Sequence, residues 1–172
     1  DMVAVVQKMI GDTTCVECLY HGLATDVTVE KVFRVESTPH WLSFAAHRHQ
    51  LKMKSARRPK HTPVKSQLGH GLPGSALDPA SNEVYLWHGL PASKVPLVAK
   101  AGLDGSMAKC RGVYGDGIYL TDQWCKALQY ARGGKCSIRH NMCGEKWRCR
   151  CMGPKRALIC RAAMGEAHYA SR

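Results

Sequence analysis

The nine residues from Glu83 to Pro91, EVYLWHGLP, constrain the fold more tightly than any other stretch of the chain. Val84, Tyr85, Leu86 and Trp87 favour a pleated, half-buried surface, so the run reads as a buried strand. It stops at His88 and Gly89 instead of an ordinary turn. A glycine there leaves the backbone without a Cβ, and a flat ligand can approach the peptide closely beside an imidazole.

Thirty residues on, YGDGIYLTD supplies a complement. Gly112, Gly115 and Gly117 loosen a loop that runs into an expected strand at Ile118 to Thr121, and Tyr119 is its second residue. Asp122 is placed to cap a helix over QWCKALQYA, which carries Tyr130 and ends at Gly133 and Gly134. Two tyrosine faces and one exposed glycine backbone suit a planar heterocycle that carries an amide.

The rest of the chain supplies a frame around these two stretches. Val3, Val6 and Ile10 recur at helical spacing, with Gly11 placed as a stop. Val27 and Val29, then Phe33 and Val35, form two alternating pairs in phase across Lys31, which predicts a strand. Thr38 as N-cap and Pro39 open a helix with Trp41, Phe44, Ala45 and Arg48 on one face, its Trp edge directed at the sheet. Residues 54–79 read as a basic loop insertion, Pro91 to Ala101 as a short helix stopped by Gly102, and RALICRAAMG as a last buried strand. Strands separated by helices of unequal length predict one α+β domain.

Charge narrows the partners. Lys and Arg number 25 against 13 Asp and Glu, a formal charge of +12, and no acid occurs from Ser37 to Leu77. Such an excess favours anionic partners such as dinucleotide phosphates or nucleic acid. No apolar run approaches the roughly 20 residues of a membrane helix, so the expectation is a soluble intracellular protein of nucleus or cytoplasm. Nine cysteines, odd in number and mostly clustered, argue for reduced thiols over a disulfide framework.

With both motifs in view, the sequence resembles the catalytic domain of the poly(ADP-ribose) polymerase family, the diphtheria-toxin-like ADP-ribosyltransferases. Trp87-His88-Gly89 resembles that family's first motif, and Tyr114 to Tyr130 its second, including the eleven-residue step from Tyr119 to Tyr130. VEKVFRVESTPHWLSF is similar to the opening strand and helix of tankyrases and mono-ADP-ribosylating members, and ALICRAAMG to the strand after the second motif. The resemblance implies two packed β-sheets with peripheral helices around an NAD cleft. It also implies transfer of ADP-ribose from NAD to a protein or nucleic-acid acceptor. It places catalytic roles at His88 and Tyr119, and cofactor contacts at His88, Gly89, Tyr114, Tyr119, Ala127 and Tyr130.

The family's third catalytic group, often a Glu, sits on a strand well beyond ALICRAAMG, so residues 1–172 read as a single domain incomplete at its C-terminal side; Glu166 is not assigned that role. Leu90 stands where the family usually has Ser or Thr, Ala127 where it usually has Ser, and Asp116 where polymerising members often have Lys. These departures keep open a catalytically inactive NAD-binding or ADP-ribose-binding module. Finally, Cys136, His140, Cys143, Cys149 and Cys151 within a loop over 136–151 offer thiolate and imidazole donors for one tetrahedral zinc. Tankyrases carry a zinc loop in the corresponding place with different spacing. A zinc-stapled nucleic-acid binder is the remaining reading, and the CVEC at Cys15 and Cys18 reads as incidental.

Overall fold

The computed structural model describes residues 1–16, 27–55, 72, 76–107, 114–131 and 154–166. Among them are four α-helices and one antiparallel sheet of two strands. Strand β1 (Glu83–Gly89) pairs with β2 (Ala157–Ala163), in a register running from Glu83 opposite Ala163 to Gly89 opposite Ala157. The pattern is mixed helix and strand, as expected. The described residues hold this one two-stranded sheet, and the expected second sheet is not among them.

Helix α1 (Met2–Asp12) forms because Val6, Met9 and Ile10 recur on one face and are buried there, while the Asp1 carboxylate caps the Val3 amide at 3.0 Å. Gly11 does not stop it. The Thr13 and Thr14 hydroxyls donate back to the Met9 and Ile10 carbonyls at 2.6 and 2.7 Å, so the final turn is closed by threonine side chains, with Thr13 at the cap.

The α1 face meets Trp87, Trp124, Ala127 and Leu128 in the core. Trp87 is 2% exposed, and its ring lies 4.9 Å from that of Trp124 at 64°, an edge-to-face pair. Thr13 ties the three segments together. Its hydroxyl accepts from Trp87 Nε1 at 3.1 Å and its carbonyl accepts from the Trp124 amide at 2.9 Å.

The expected strand over Val27–Val35 is corrected. Residues 27–37 pair with no strand among the described residues, and the inward phase breaks: Val27, Val29 and Val32 pack on the core, while Phe33 is 79% exposed and Val35 also faces out. A side chain replaces the strand partner. Gln7 donates through Nε2 to the Val27 carbonyl (2.9 Å) and accepts the Val29 amide on Oε1 (2.8 Å), which satisfies two residues and leaves later ones unpinned.

Helix α2 (Thr38–Ser55) opens one residue before the expected place: Trp41 donates to the Ser37 carbonyl at 2.9 Å, so the cap position falls on Ser37 and Thr38 is the first helical residue. It runs past the expected start of the basic insertion, because Lys52 and Lys54 suit the negative end of the helix dipole. The far end of that insertion is structured too: Asp78 caps a 3-10 turn at Pro79–Ser81, accepting the Ala80 amide at 3.0 Å. Most of the segment between lies outside the described residues.

Trp41 does face the sheet, but through a cation: the Arg161 guanidinium of β2 lies 5.3 Å from its ring centroid. Arg161 also binds Glu83 in a fork, at 2.6 and 2.7 Å, while Arg48 of α2 approaches the same carboxylate at 3.5 Å. Glu83 is thereby fully enclosed and α2 is fastened to both strands. Beyond β1, the expected helix from Pro91 divides into a 3-10 turn (Ala92–Lys94) and α3 (Val95–Ala101). Pro96 lacks an amide hydrogen and is tolerated only in a first turn, so the α-helix starts beside it. Gly102, at φ 79°, ends α3 as expected.

Candidate functional site

Strand β1 presents its last peptide groups to two different edges. In an antiparallel ladder, successive residues alternate between bonding one neighbour and the other. Met164 donates to Asn82 at 3.1 Å, so Asn82 faces β2, and by alternation so do Val84, Leu86 and His88. Trp87 and Gly89 therefore direct their N–H and C=O to the opposite edge. Trp87 uses both there, donating to the Thr121 carbonyl at 2.7 Å and accepting the Thr121 amide at 3.0 Å. Gly89 would pair next with Tyr119.

That next rung is missing. The Tyr119 carbonyl is bonded instead to Nδ1 of His88, at 2.9 Å. The expected strand over Ile118–Thr121 is thus reduced to the single bridge at Thr121. Among the described residues neither the N–H nor the C=O of Gly89 receives a hydrogen bond. A donor and an acceptor side by side on an extended backbone are the complement of a primary carboxamide. The chain already contains such a pairing, where the Gln7 amide bonds Val27 and Val29.

The same contact sets the His88 tautomer. A carbonyl only accepts, so Nδ1 carries the hydrogen in the neutral ring and Nε2 is left with a lone pair for a hydroxyl. His88 has two jobs at once: it holds the Tyr119 backbone away from Gly89, and it offers an acceptor beside it.

Tyr119 is fixed at both ends. Its hydroxyl donates to the Gly115 carbonyl at 2.7 Å and accepts the Tyr114 amide at 3.2 Å, which closes the glycine loop over its own side chain. Gly115 makes this possible by adopting φ 91°. The Tyr119 ring remains 42% exposed and Tyr114 is exposed beside it. Tyr130 is 55% exposed and lies two residues past α4 (Trp124–Leu128), with its amide on the Ala127 carbonyl at 3.0 Å and the Lys126 ammonium 5.8 Å from its ring centroid.

Helix α4 is shorter than expected, and Asp122 does not cap it. The N-cap position falls on Gln123, whose amide donates to the Thr121 hydroxyl at 3.1 Å, so the chain turns one residue later. Its Ala127 is 1% exposed and backs directly onto Gly89. A Cβ added at Gly89 would lie 1.9 Å from the Ala127 carbonyl oxygen and 3.1 Å from the Ala131 amide nitrogen. The glycine is therefore demanded by helix packing on one side, while its peptide edge stays open on another. Leu90 is buried as well.

Residues 8–171 match the family model described as the poly(ADP-ribose) polymerase catalytic domain. The chain belongs to that family. No curated protein sequence matches it. In this poly(ADP-ribose) polymerase domain the geometry bonds His88 to the Tyr119 carbonyl, leaves the Gly89 peptide edge open beside them and sets Ala127 behind Gly89 as a core residue. Family membership makes this an ADP-ribosyltransferase fold and implies NAD as the co-substrate.

Two acids, Glu83 and Glu166, are placed away from this site. Gly165 donates to the Ser81 carbonyl at 3.0 Å, so Glu166 and the enclosed Glu83 sit at the far end of β1 from His88. Five residue steps along the strand separate Glu83 from His88, about 17 Å. Cys136, His140, Cys143, Cys149 and Cys151 lie outside the described residues, and among those described no group of His, Cys, Asp or Glu could hold a metal ion. No described helix is long and apolar enough to cross a membrane.

Sequence reasoning missed the main-chain part of Thr121 and the backbone role of His88. Both depend on where a ladder stops, which residue types alone do not signal.

Proposed function

We propose that the chain binds NAD and transfers its ADP-ribosyl group to a protein or nucleic-acid acceptor, with release of nicotinamide. The observation that carries this reading is the open peptide edge of Gly89, whose free donor and acceptor match the nicotinamide carboxamide. Bound NAD supplies a cationic pyridinium leaving group. The exposed faces of Tyr119 and Tyr130 suit that ring, with cation–π attraction of about 0.5–2 kcal/mol each. This attraction fades as the ring leaves neutral, so the tyrosines bind and orient more than they accelerate. His88 Nε2 is left to accept a ribose hydroxyl. The electrostatic group that steadies the oxocarbenium-like transition state is neither Glu83 nor Glu166, both of which lie at the wrong end of β1.

Calorimetry with NAD, whose pyridinium ring is cationic, on the parent and on Tyr119→Ala tests the pocket. A loss of about 1–3 kcal/mol is expected, and equal affinities would remove Tyr119 from the site. A second reading, an NAD-binding module without turnover, is favoured by Leu90 and Ala127, which are buried and apolar where the family usually has hydroxyls. Nicotinamide release from NAD separates the two: binding without release selects the module. The donor chemistry of the Cys136–Cys151 segment supports one structural zinc in addition.

A further inference from the structure

Two thiols that the sequence keeps 110 residues apart meet behind the site. Cys15 follows the threonine-closed end of α1, and Cys125 is the second residue of α4. Their sulfur atoms lie 3.5 Å apart. This is no loose approach of surface chains, because the Trp124 amide is bonded to the Thr13 carbonyl at 2.9 Å and holds the two backbones together beside the pair. The CVEC motif, which reads as incidental in the sequence, thus places one of its thiols against the second family motif.

We propose that Cys15 and Cys125 form a reversible disulfide site, closed by peroxide and opened by thiol reductants, that clamps the helix behind Gly89 to the end of the N-terminal helix. A disulfide needs its sulfurs about 2.05 Å apart, so they must approach by about 1.5 Å. Cys15 is partly exposed and Cys125 is buried, which sets the order of events. The Cys15 thiolate attacks hydrogen peroxide, breaking the O–O bond and giving Cys15 sulfenic acid and hydroxide. The Cys125 sulfur then attacks the sulfenic sulfur. An S–S bond forms, the S–O bond breaks, and the Cys125 proton leaves with the oxygen as water. In sum, two thiols and one peroxide yield a disulfide and two waters. Cys160, the other described thiol, is a poor competitor, because burial pushes it up to about 11 and keeps it protonated.

The site stands whatever ligand the cleft takes. Its closure links residues 110 positions apart, so the unfolded chain loses much freedom. Oxidation should raise the melting midpoint by roughly 5–15 °C.

The test uses the reduced chain, freed of reductant and treated with hydrogen peroxide, followed by non-reducing peptide mass mapping and thermal melts with and without dithiothreitol. The expected result is a peptide joining Cys15 to Cys125 and a midpoint increase that dithiothreitol reverses. Cys15→Ser should abolish both while melting like the reduced parent, and this exposed-side variant serves where Cys125→Ser, in the core, fails to fold. Three results would each overturn the proposal: alkylation of both cysteines after oxidation, a bridge from either to a different cysteine, or equal midpoints in the two redox states.

Discussion

Replacing Gly89 with alanine separates the two reasons for that glycine. The added Cβ would lie 1.9 Å from the Ala127 carbonyl oxygen and 2.8 Å from its carbon, where real Cβ atoms essentially never come within 3.0 Å. Relief requires β1 and α4 to part by about 1.1 Å. Neither side yields easily, since the obstacle is helix backbone and Ala127 belongs to the tryptophan core. Overpacking of a rigid site costs about 1–3 kcal/mol, and the upper end applies here. For a chain of this size that is a melting midpoint lower by about 6–12 °C. Nicotinamide affinity should fall as well, because the open peptide edge moves with the strand. Differential scanning calorimetry with Gly105→Ala as the comparison reads the first effect, since a Cβ at Gly105 meets nothing within 4 Å. A Gly89→Ala protein that melts with the parent would refute the close contact with α4, and one that melts low but binds nicotinamide fully would refute the assignment of its peptide edge to the ligand.

Tyr119→Phe keeps the ring but removes the bonds to Gly115 and Tyr114, so nicotinamide affinity should drop roughly 2–10-fold, less than for Tyr119→Ala; equal losses in a binding titration would deny the loop-closing role. Burial pushes the Glu83 carboxyl up, but the Arg161 fork, the Asp78 amide and the Arg48 charge outweigh it and hold it below its ordinary 4.5. Its contribution to stability is therefore fully present above that pH and is lost as pH falls through the depressed folded value, and acid unfolding curves of Glu83→Gln should show a weaker dependence there. At neutral pH the same variant should lose about 1–3 kcal/mol, read in urea unfolding, because the half-buried Arg161 loses its charged partner. Elemental analysis of protein purified without added metal should give close to one zinc per chain, and a metal-free protein would sink the cysteine-cluster proposal.

The sequence displayed the chemistry of the site better than its architecture. Strand β1, its end at Gly89, the helix opening at Thr38 and the strand over Ala157–Ala163 follow from propensity, capping and apolar runs, which are local. The failures were decided by hydrogen-bond and packing partners that residue type does not announce, some distant in the chain and some within one turn. Alternation over 27–35 looked like a strand, yet Gln7 pinned only its first residues and Phe33 turned outward. Gly11 looked like a stop, yet two threonine hydroxyls closed the helix beyond it. Asp122 had the residue type of a cap, but the bridge between Thr121 and Trp87 moved the turn by one position. Gly89 was read as space for a ligand, and the space on its Cβ side proved to belong to Ala127.

The N-terminal helix has a practical bearing on where this domain can be cut. The family match starts at residue 8, in the middle of α1. A chain trimmed to that limit would keep Met9, Ile10 and Thr13 but lose Gln7, Val6, Val5 and Met2, all of which touch the core or hold residues 27–29. The remaining turn and a half would have no Asp1 cap and would be too short to persist unaided. The core around Trp87, one strand position from His88, would then lose Val6 and the residues packed beside it. A protein expressed from that start would be expected to precipitate, and a failed assay would say nothing about His88 or Tyr119.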